Sequence, residues 1–163
     1  MIPIDPNAFA FDLGRLHHVG VVVADIQGAA AHFAEMYGLD ITVGDESEYR
    51  CRVDGAEQVT VQRLGLSVQG PPHIELLRAV PQSSVWTVGP AVHHLGFVVD
   101  DVPAASRELS RRGAPLWMGG ERDGTCPVGT AYHRDAFGLT IELLDAATER
   151  RITTRLFGEA VTA

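Results

Sequence analysis

The chain contains no lysine. Its 13 basic residues are all arginine, set against 21 Asp and Glu, so the formal net charge is −8 over 163 residues. Without an ε-amino group there is no Schiff-base chemistry and no lysine general base, which leaves histidine, carboxylate, tyrosine, cysteine or a bound metal to carry a reaction. The acidic balance gives little electrostatic footprint for nucleic acid or for an anionic membrane surface. Cysteine is scarce: Cys51 and Cys126 stand in no metal-binding or redox spacing and read as two reduced thiols, which suits a cytoplasmic protein. No stretch reaches the roughly 18 consecutive apolar residues of a membrane span. The opening MIPIDPNAFAFDLGR also lacks the continuous apolar run of a secretory signal. With 45% hydrophobic and 21% charged residues, the composition is that of an ordinary globular protein, and 1–163 reads as one domain.

What the chain does have is self-similarity. The segment HHVGVVVADIQGAAAHFAEMYGL from His17 aligns without a gap on HHLGFVVDDVPAASRELSRRGAP from His93, at an offset of 76. His17/His93, His18/His94, Gly20/Gly96, Val22/Val98, Val23/Val99, Asp25/Asp101 and Ala29/Ala105 are identities. Each copy ends in the same four residues, Ile74-Glu75-Leu76-Leu77 and Ile141-Glu142-Leu143-Leu144. A repeat of this length defines two related modules, 15–80 and 91–145, with the Pro- and Gly-containing stretch 81–90 as linker and 146–163 as a C-terminal extension.

Within a module the opening run, Val19 to Val23 or Leu95 to Val99, has the length and β-branched content of a buried strand. Asp25 and Asp101 stand where an N-cap is wanted, Pro103 falls in a first helical turn, and the spacing predicts helices over 26–37 and 103–112, ended by Gly38 and Gly113. Short strand-like runs follow at 41–43, 49–53, 58–64 and 73–79, then at 116–118, 128–133 and 139–144. The reading is an α+β fold of two tandem βαβββ modules forming a curved mixed sheet around a shared cleft. Ile152, Leu156 and Phe157 among charges predict a terminal helix in the extension.

Strand alternation selects the chemistry. Val19, Val21 and Val23 share one face, suited to packing under the helix, while His18, Gly20 and Val22 share the other. In the closing strand Ile74 and Leu76 face one way and Glu75 the other. His18 and Glu75 therefore project from the helix-free face of module one, and His94 and Glu142 from that of module two. A glutamate within an apolar Ile-x-Leu-Leu strand is costly to bury unless paired or bound to metal. Two imidazoles and two carboxylates suit a divalent transition metal and leave positions open for substrate. By the same parity His17 and His93 read as structural, while His32, His73 and His133, without repeat partners, read as surface residues or as supports of the site.

The motifs LHHVGVVVADI, HIELL, VHHLGFVVDDV and YHRDAFGLTIELL resemble those of the vicinal oxygen chelate superfamily, which includes glyoxalase I, methylmalonyl-CoA epimerase, extradiol dioxygenases and drug-resistance proteins. The resemblance covers about residues 15–145 and places the family's metal positions on His18, Glu75, His94 and Glu142. It implies a divalent metal ion (cobalt, nickel, zinc, manganese or iron), a small-molecule or acyl-CoA substrate and a homodimer. The texture is nearest the epimerase, whose non-ligand catalytic carboxylate should lie near Val59-Thr60-Val61-Gln62; that run has none, and Glu57 is adjacent while Glu48 is farther off. The leading expectation is an isomerase or epimerase removing a proton α to a carbonyl, with Glu142 or Glu75 as base if a ligand doubles in that role, or Glu57 if the base is separate. The alternatives are an iron-dependent dioxygenase using three of the ligands and a metal-free binding protein. Arg111, Arg112, Arg122, Arg150 and Arg151 are the candidates for a coenzyme A phosphate.

Overall fold

The structure is a computed structural model that describes residues 12–120, 127 and 129–158. Among these residues the chain forms ten strands and three helices. Module one holds β1 (Arg15–Val23), α1 (Ile26–Tyr37), β2 (Ile41–Val43), β3 (Ser47–Val53), β4 (Ala56–Gln62), β5 (Leu64–Ser67) and β6 (His73–Arg78). Module two holds β7 (His94–Val98), α2 (Val102–Arg111), β8 (Leu116–Gly120), β9 (Thr130–Arg134) and β10 (Thr140–Leu144), and α3 (Ala146–Phe157) follows. Asp25, Asp101 and Asp145 cap the three helices by accepting from backbone N–H groups of their first turns. None of these helices is long and apolar enough to cross a membrane.

All ten strands form one sheet in the order β2-β5-β6-β1-β7-β10-β9-β8-β3-β4. The repeat is visible in that order. Outward from the central antiparallel pair β1/β7, module one runs β1-β6-β5-β2 and module two runs β7-β10-β9-β8, so each opening strand lies parallel to its own Ile-Glu-Leu-Leu strand. Gly20 pairs with Glu75 and Gly96 with Glu142, the same register in both copies.

Module one departs from four strands. Its middle is a single long hairpin broken at one point in each arm. Ile41 to Val43 pairs with Gly65 to Ser67, and Ser47 to Val53 with Ala56 to Gln62. The two-residue turn Asp54-Gly55 has φ of 49° and 80°, the primed geometry that matches strand twist and that Asp-Gly sequences adopt. At the break Gly44 donates its N–H to the Leu64 carbonyl and accepts from Arg63 Nε, which bends the hairpin out of its own module. Its far half then pairs through β3 with β8, Cys51 opposite Gly120. The hairpin thus joins both ends of the ten-stranded order, and the sheet curls into a half-barrel. The continuous run expected over 58–64 is divided at Arg63 for this reason.

Two cores result. Under α2, on the convex side, lie Val99, Val102, Ala105, Leu109, Ala131 and Leu143. The concave side buries Val22, Cys51, Val53, Leu77, Met118 and Tyr132 together with Val85 and Trp86. The last two belong to the stretch read as a linker, and they are only 1% and 2% exposed. Ser83 Oγ accepts from the N–H groups of both, turning the chain so that the indole enters the barrel edge-on to Tyr49. Truncating Trp86 to Ala should therefore lower the unfolding free energy by about 3–5 kcal/mol, as for a fully buried aromatic; a urea midpoint close to wild type would mean that this segment is not core.

Candidate metal centre

The expected quartet converges. His18 Nε2 lies 2.7 Å from Glu142 Oε2 and 3.5 Å from Glu75 Oε2. His94 Nε2 lies 2.8 Å and 3.2 Å from the same two oxygens, and the two Nε2 atoms are 2.9 Å apart. Donors about 2.1 Å from a shared ion stand about 3.0 Å apart at right angles and about 3.4 Å apart in a tetrahedron. The observed separations fall around those values, and the N₂O₂ donor set suits a divalent transition cation. The residues present therefore fit a metal.

The positions come from the repeat. In the β1/β7 ladder His18 is opposite Gly96 and Gly20 opposite His94. A Cβ on Gly20 would stand 2.0 Å from the His94 ring and one on Gly96 2.2 Å from that of His18. The missing side chains are what let both imidazoles lie over the neighbouring strand. Glu75 and Glu142 reach the same point from the flanking parallel strands.

All four groups are buried, with exposures of 1%, 4%, 0% and 6% for His18, Glu75, His94 and Glu142. Burial alone pushes the imidazoles down, yet the two carboxylates outweigh it, raising His18 above its ordinary value and His94 to about 9. Glu142 shows the converse: burial pushes it up, but His18 and His94 hold it well below the carboxylate range. Two protonated imidazoles and two carboxylates sum to zero charge, so a divalent cation can replace the two protons. Burial, followed by His18, lowers His17 to about 4, and burial, followed by His94, lowers His93.

A cavity of about 460 Å³ opens over this quartet. Glu75 and Glu142 line it with Leu77, Trp86, Met118, Tyr49 and Tyr132. Desolvation raises both tyrosines above their ordinary value, so their hydroxyls remain protonated donors. The other wall is α3, which presents Ala147, Thr148, Arg151, Ile152, Arg155 and Leu156. It is tied down at both ends, by Glu149 to Arg15 at 2.6 Å and by Arg155 to Ser47 Oγ at 3.0 Å.

Several expectations need correction. Glu57 lies outside the cavity wall: it sits on outer strand β4, largely exposed and ion-paired with Arg52 at 2.8 Å. The carboxylate nearest the run Val59 to Gln62 on that wall is Glu48, the cross-strand partner of Val61, while Gln62 itself is buried and lines the cavity. Arg111 and Arg112 pair with Glu108 on α2, Arg150 is not on the cavity wall, and Arg122 lies outside the described residues, as does Cys126. Arg151 alone of the five lines the cavity. His17 and His93 stand outside the quartet; His17 is buried, with its Nδ1 2.8 Å from that of His18. His73 and His133 are internal, hydrogen-bonded to the Ser67 and Ala114 carbonyls.

Comparison with known proteins agrees with the geometry. Residues 17–132 match the family model described as the glyoxalase/bleomycin resistance protein/dioxygenase superfamily. An ethylmalonyl-CoA/methylmalonyl-CoA epimerase of Cereibacter sphaeroides is 27% identical over 137 residues, covering 80% of this chain and 97% of that protein. The crystal structure of methylmalonyl-CoA epimerase from Mycobacterium tuberculosis superposes with a TM-score of 0.54 at 28% identity, covering 80% of this chain and 86% of that one. A Streptomyces coelicolor methylmalonyl-CoA epimerase in complex with 2-nitronate-propionyl-CoA has a TM-score of 0.57 at 19% identity, over 83% and 96% of the two chains, and so shares the fold.

Two outcomes are expected. Gly96→Ala should displace the His18 ring and reduce bound metal well below stoichiometric while leaving the circular dichroism spectrum intact; undiminished metal would separate the glycine from the centre. The second concerns the metal-free protein. His94 titrates at about 9 folded against an ordinary 6.5, so its contribution to stability is full below about 6.5 and is lost as pH rises through 9. His17, at about 4 folded, contributes fully above 6.5 and loses that contribution as pH falls toward 4. The Tm of chelator-treated protein should peak near pH 6.5 and fall on both sides, with added divalent cation flattening the alkaline side. A metal-free Tm that climbs steadily to pH 9 contradicts the pairing.

Proposed function

The chain belongs to the glyoxalase/bleomycin resistance protein/dioxygenase superfamily, and from that membership we propose that it is a metal-dependent epimerase or isomerase that moves a proton α to a substrate carbonyl. The observation that carries the reading is the buried His18–Glu75–His94–Glu142 quartet, whose two carboxylates line a cavity. The similarity to ethylmalonyl-CoA/methylmalonyl-CoA epimerase supports an acyl thioester as substrate class.

These four residues would hold the divalent cation, which when bound supplies Lewis-acid stabilisation of charge developing on the carbonyl oxygen. The remaining work falls to the chain. Glu75 and Glu142 enter from opposite sides of the β1/β7 seam, so a substrate seated over the centre has a carboxylate from each module beside it. Inversion at carbon requires a proton to leave one face and return to the other, and two carboxylates of opposite provenance provide that pair. Tyr49 and Tyr132, held protonated, donate hydrogen bonds rather than abstract protons. Trp86, Leu77 and Met118 exclude water from one side, and α3 covers the other. Glu57 has no part in this scheme.

The test is solvent-deuterium exchange at the α-carbon of methylmalonyl-CoA, followed by proton NMR with cobalt-loaded protein. Exchange should occur, stop on chelation, and be absent from His18→Ala, His94→Ala and Glu142→Ala together with their metal. Glu142→Gln should keep part of the metal, since an amide oxygen still ligates, and lose about 10²–10⁴-fold in exchange. Full metal retention in all three Ala variants would overturn the metal reading. Metal uptake without exchange would overturn the epimerase reading.

A further inference from the structure

Each candidate ligand histidine is preceded by another histidine, and the two pairs make the same contact. His17 Nδ1 lies 2.8 Å from His18 Nδ1, and His93 Nδ1 lies 2.9 Å from His94 Nδ1. The rings of each pair are nearly perpendicular, at 87° and 90°. In both copies it is Nε2 of the second histidine that faces the carboxylates. An imidazole that presents an Nε2 lone pair to a cation carries its proton on Nδ1, and that N–H needs an acceptor. The only group within hydrogen-bond distance of either ligand Nδ1 among the described residues is Nδ1 of the preceding histidine.

We infer that His17 and His93 are positioning residues, each accepting the Nδ1–H of the ligand that follows it and so fixing that ligand's tautomer and ring plane toward the centre. The consequence runs one bond further. A histidine that accepts at Nδ1 must carry its own proton on Nε2, and His93 Nε2 donates to the Val85 carbonyl at 2.7 Å. Module two therefore has a closed chain: Val85 carbonyl, His93, His94, centre. In module one His17 Nε2 is buried without a hydrogen-bond partner and faces Glu149 Oε1 of α3 at 3.7 Å. One relay ends on backbone and the other points at the helix over the cavity. The segment around Val85, which reads in sequence as a linker, thereby supports the centre.

This inference rests on the reading that the quartet holds a cation, and the experiment separates the two. Cobalt affinity is measured by chelator competition for wild type and for His17→Leu, His17→Asn, His93→Leu and His93→Asn, with the visible cobalt spectrum recorded for each. The Asn Oδ1 occupies the branch position of Nδ1 and accepts a hydrogen bond, whereas Leu does not. The Leu variants should bind cobalt about 10–100-fold more weakly with an altered spectrum, and the Asn variants should recover most of that loss. Independently of any variant, long-range ¹H–¹⁵N spectra of zinc-loaded wild type should show His17 and His93 protonated on Nε2 and His18 and His94 on Nδ1. Wild type that takes up no cobalt overturns the metal reading and this inference together. Uptake by wild type with equal affinities for Leu and Asn variants, or Nδ1 protonation of His17 or His93, overturns the relay alone.

Discussion

The fold depends on one antiparallel pairing, β1 against β7, and on what that pairing leaves out. His18 lies across from Gly96 and Gly20 across from His94, so each strand gives the other the space its imidazole fills. With any larger residue at either glycine the two rings could not approach to 2.9 Å. Because the strands are the first of their modules, the seam is also where the two halves join. The parallel strands β6 and β10 then bring Glu75 and Glu142 into register beside it. The polar centre and the β1/β7 seam are thus a single feature, while the second seam, β3 against β8, closes the curl around it.

Such a centre is electrostatically demanding. Each carboxylate or imidazolium taken out of water costs several kcal/mol, and only partners in place offset that. Here every member has two oppositely charged neighbours within 3.5 Å, which is why His94 rises to about 9 while Glu142 falls. The apolar surroundings, Val22, Leu77, Met118 and Tyr132, strengthen these interactions by excluding solvent. The same surroundings make any unpaired member expensive, so the four residues behave as one unit.

The gapless repeat makes the modules, their parallel strand pairs and the quartet legible in the sequence, because period-2 alternation assigns His18, Glu75, His94 and Glu142 to one face. What the repeat could not reveal lies where the modules differ. The β3–β4 extension of the hairpin has no counterpart in module two, and the bend that leads into it depends on Gly44 and Arg63 contacts between residues distant in sequence. The stretch 81–90 has the Pro, Ser and Gly of an exposed linker, yet a Ser83 turn drives Val85 and Trp86 into the core. The matched Gly20 and Gly96 were a readable signal, since a glycine conserved between two copies two residues after a ligand histidine marks a close approach. Alternation also leaves His17 and His93 outside the quartet, but it carries no sign of the Nδ1 contacts that tie each of them to the histidine that follows.

These unrepeated pieces decide how the site can be used. A centre built by pseudo-twofold symmetry presents the same face in two orientations, and a substrate with distinguishable ends would bind either way round. The walls remove that ambiguity. Module one contributes Tyr49, Gln62 and Leu64 from its bent hairpin, the linker contributes Trp86, and α3 adds Thr148, Arg151 and Ile152 after module two has ended. The hairpin and α3 are themselves joined, Arg155 reaching Ser47, so that one wall holds the other in place. The cations on the cavity wall, Arg50 on the hairpin extension and Arg151 and Arg155 on α3, all stand on elements outside the repeat, so the pseudo-twofold does not duplicate them and they break the equivalence of the two ends for any anionic substrate. Symmetry thus builds the part of the site that needs matched donors, and the asymmetric additions supply the direction in which a substrate must enter.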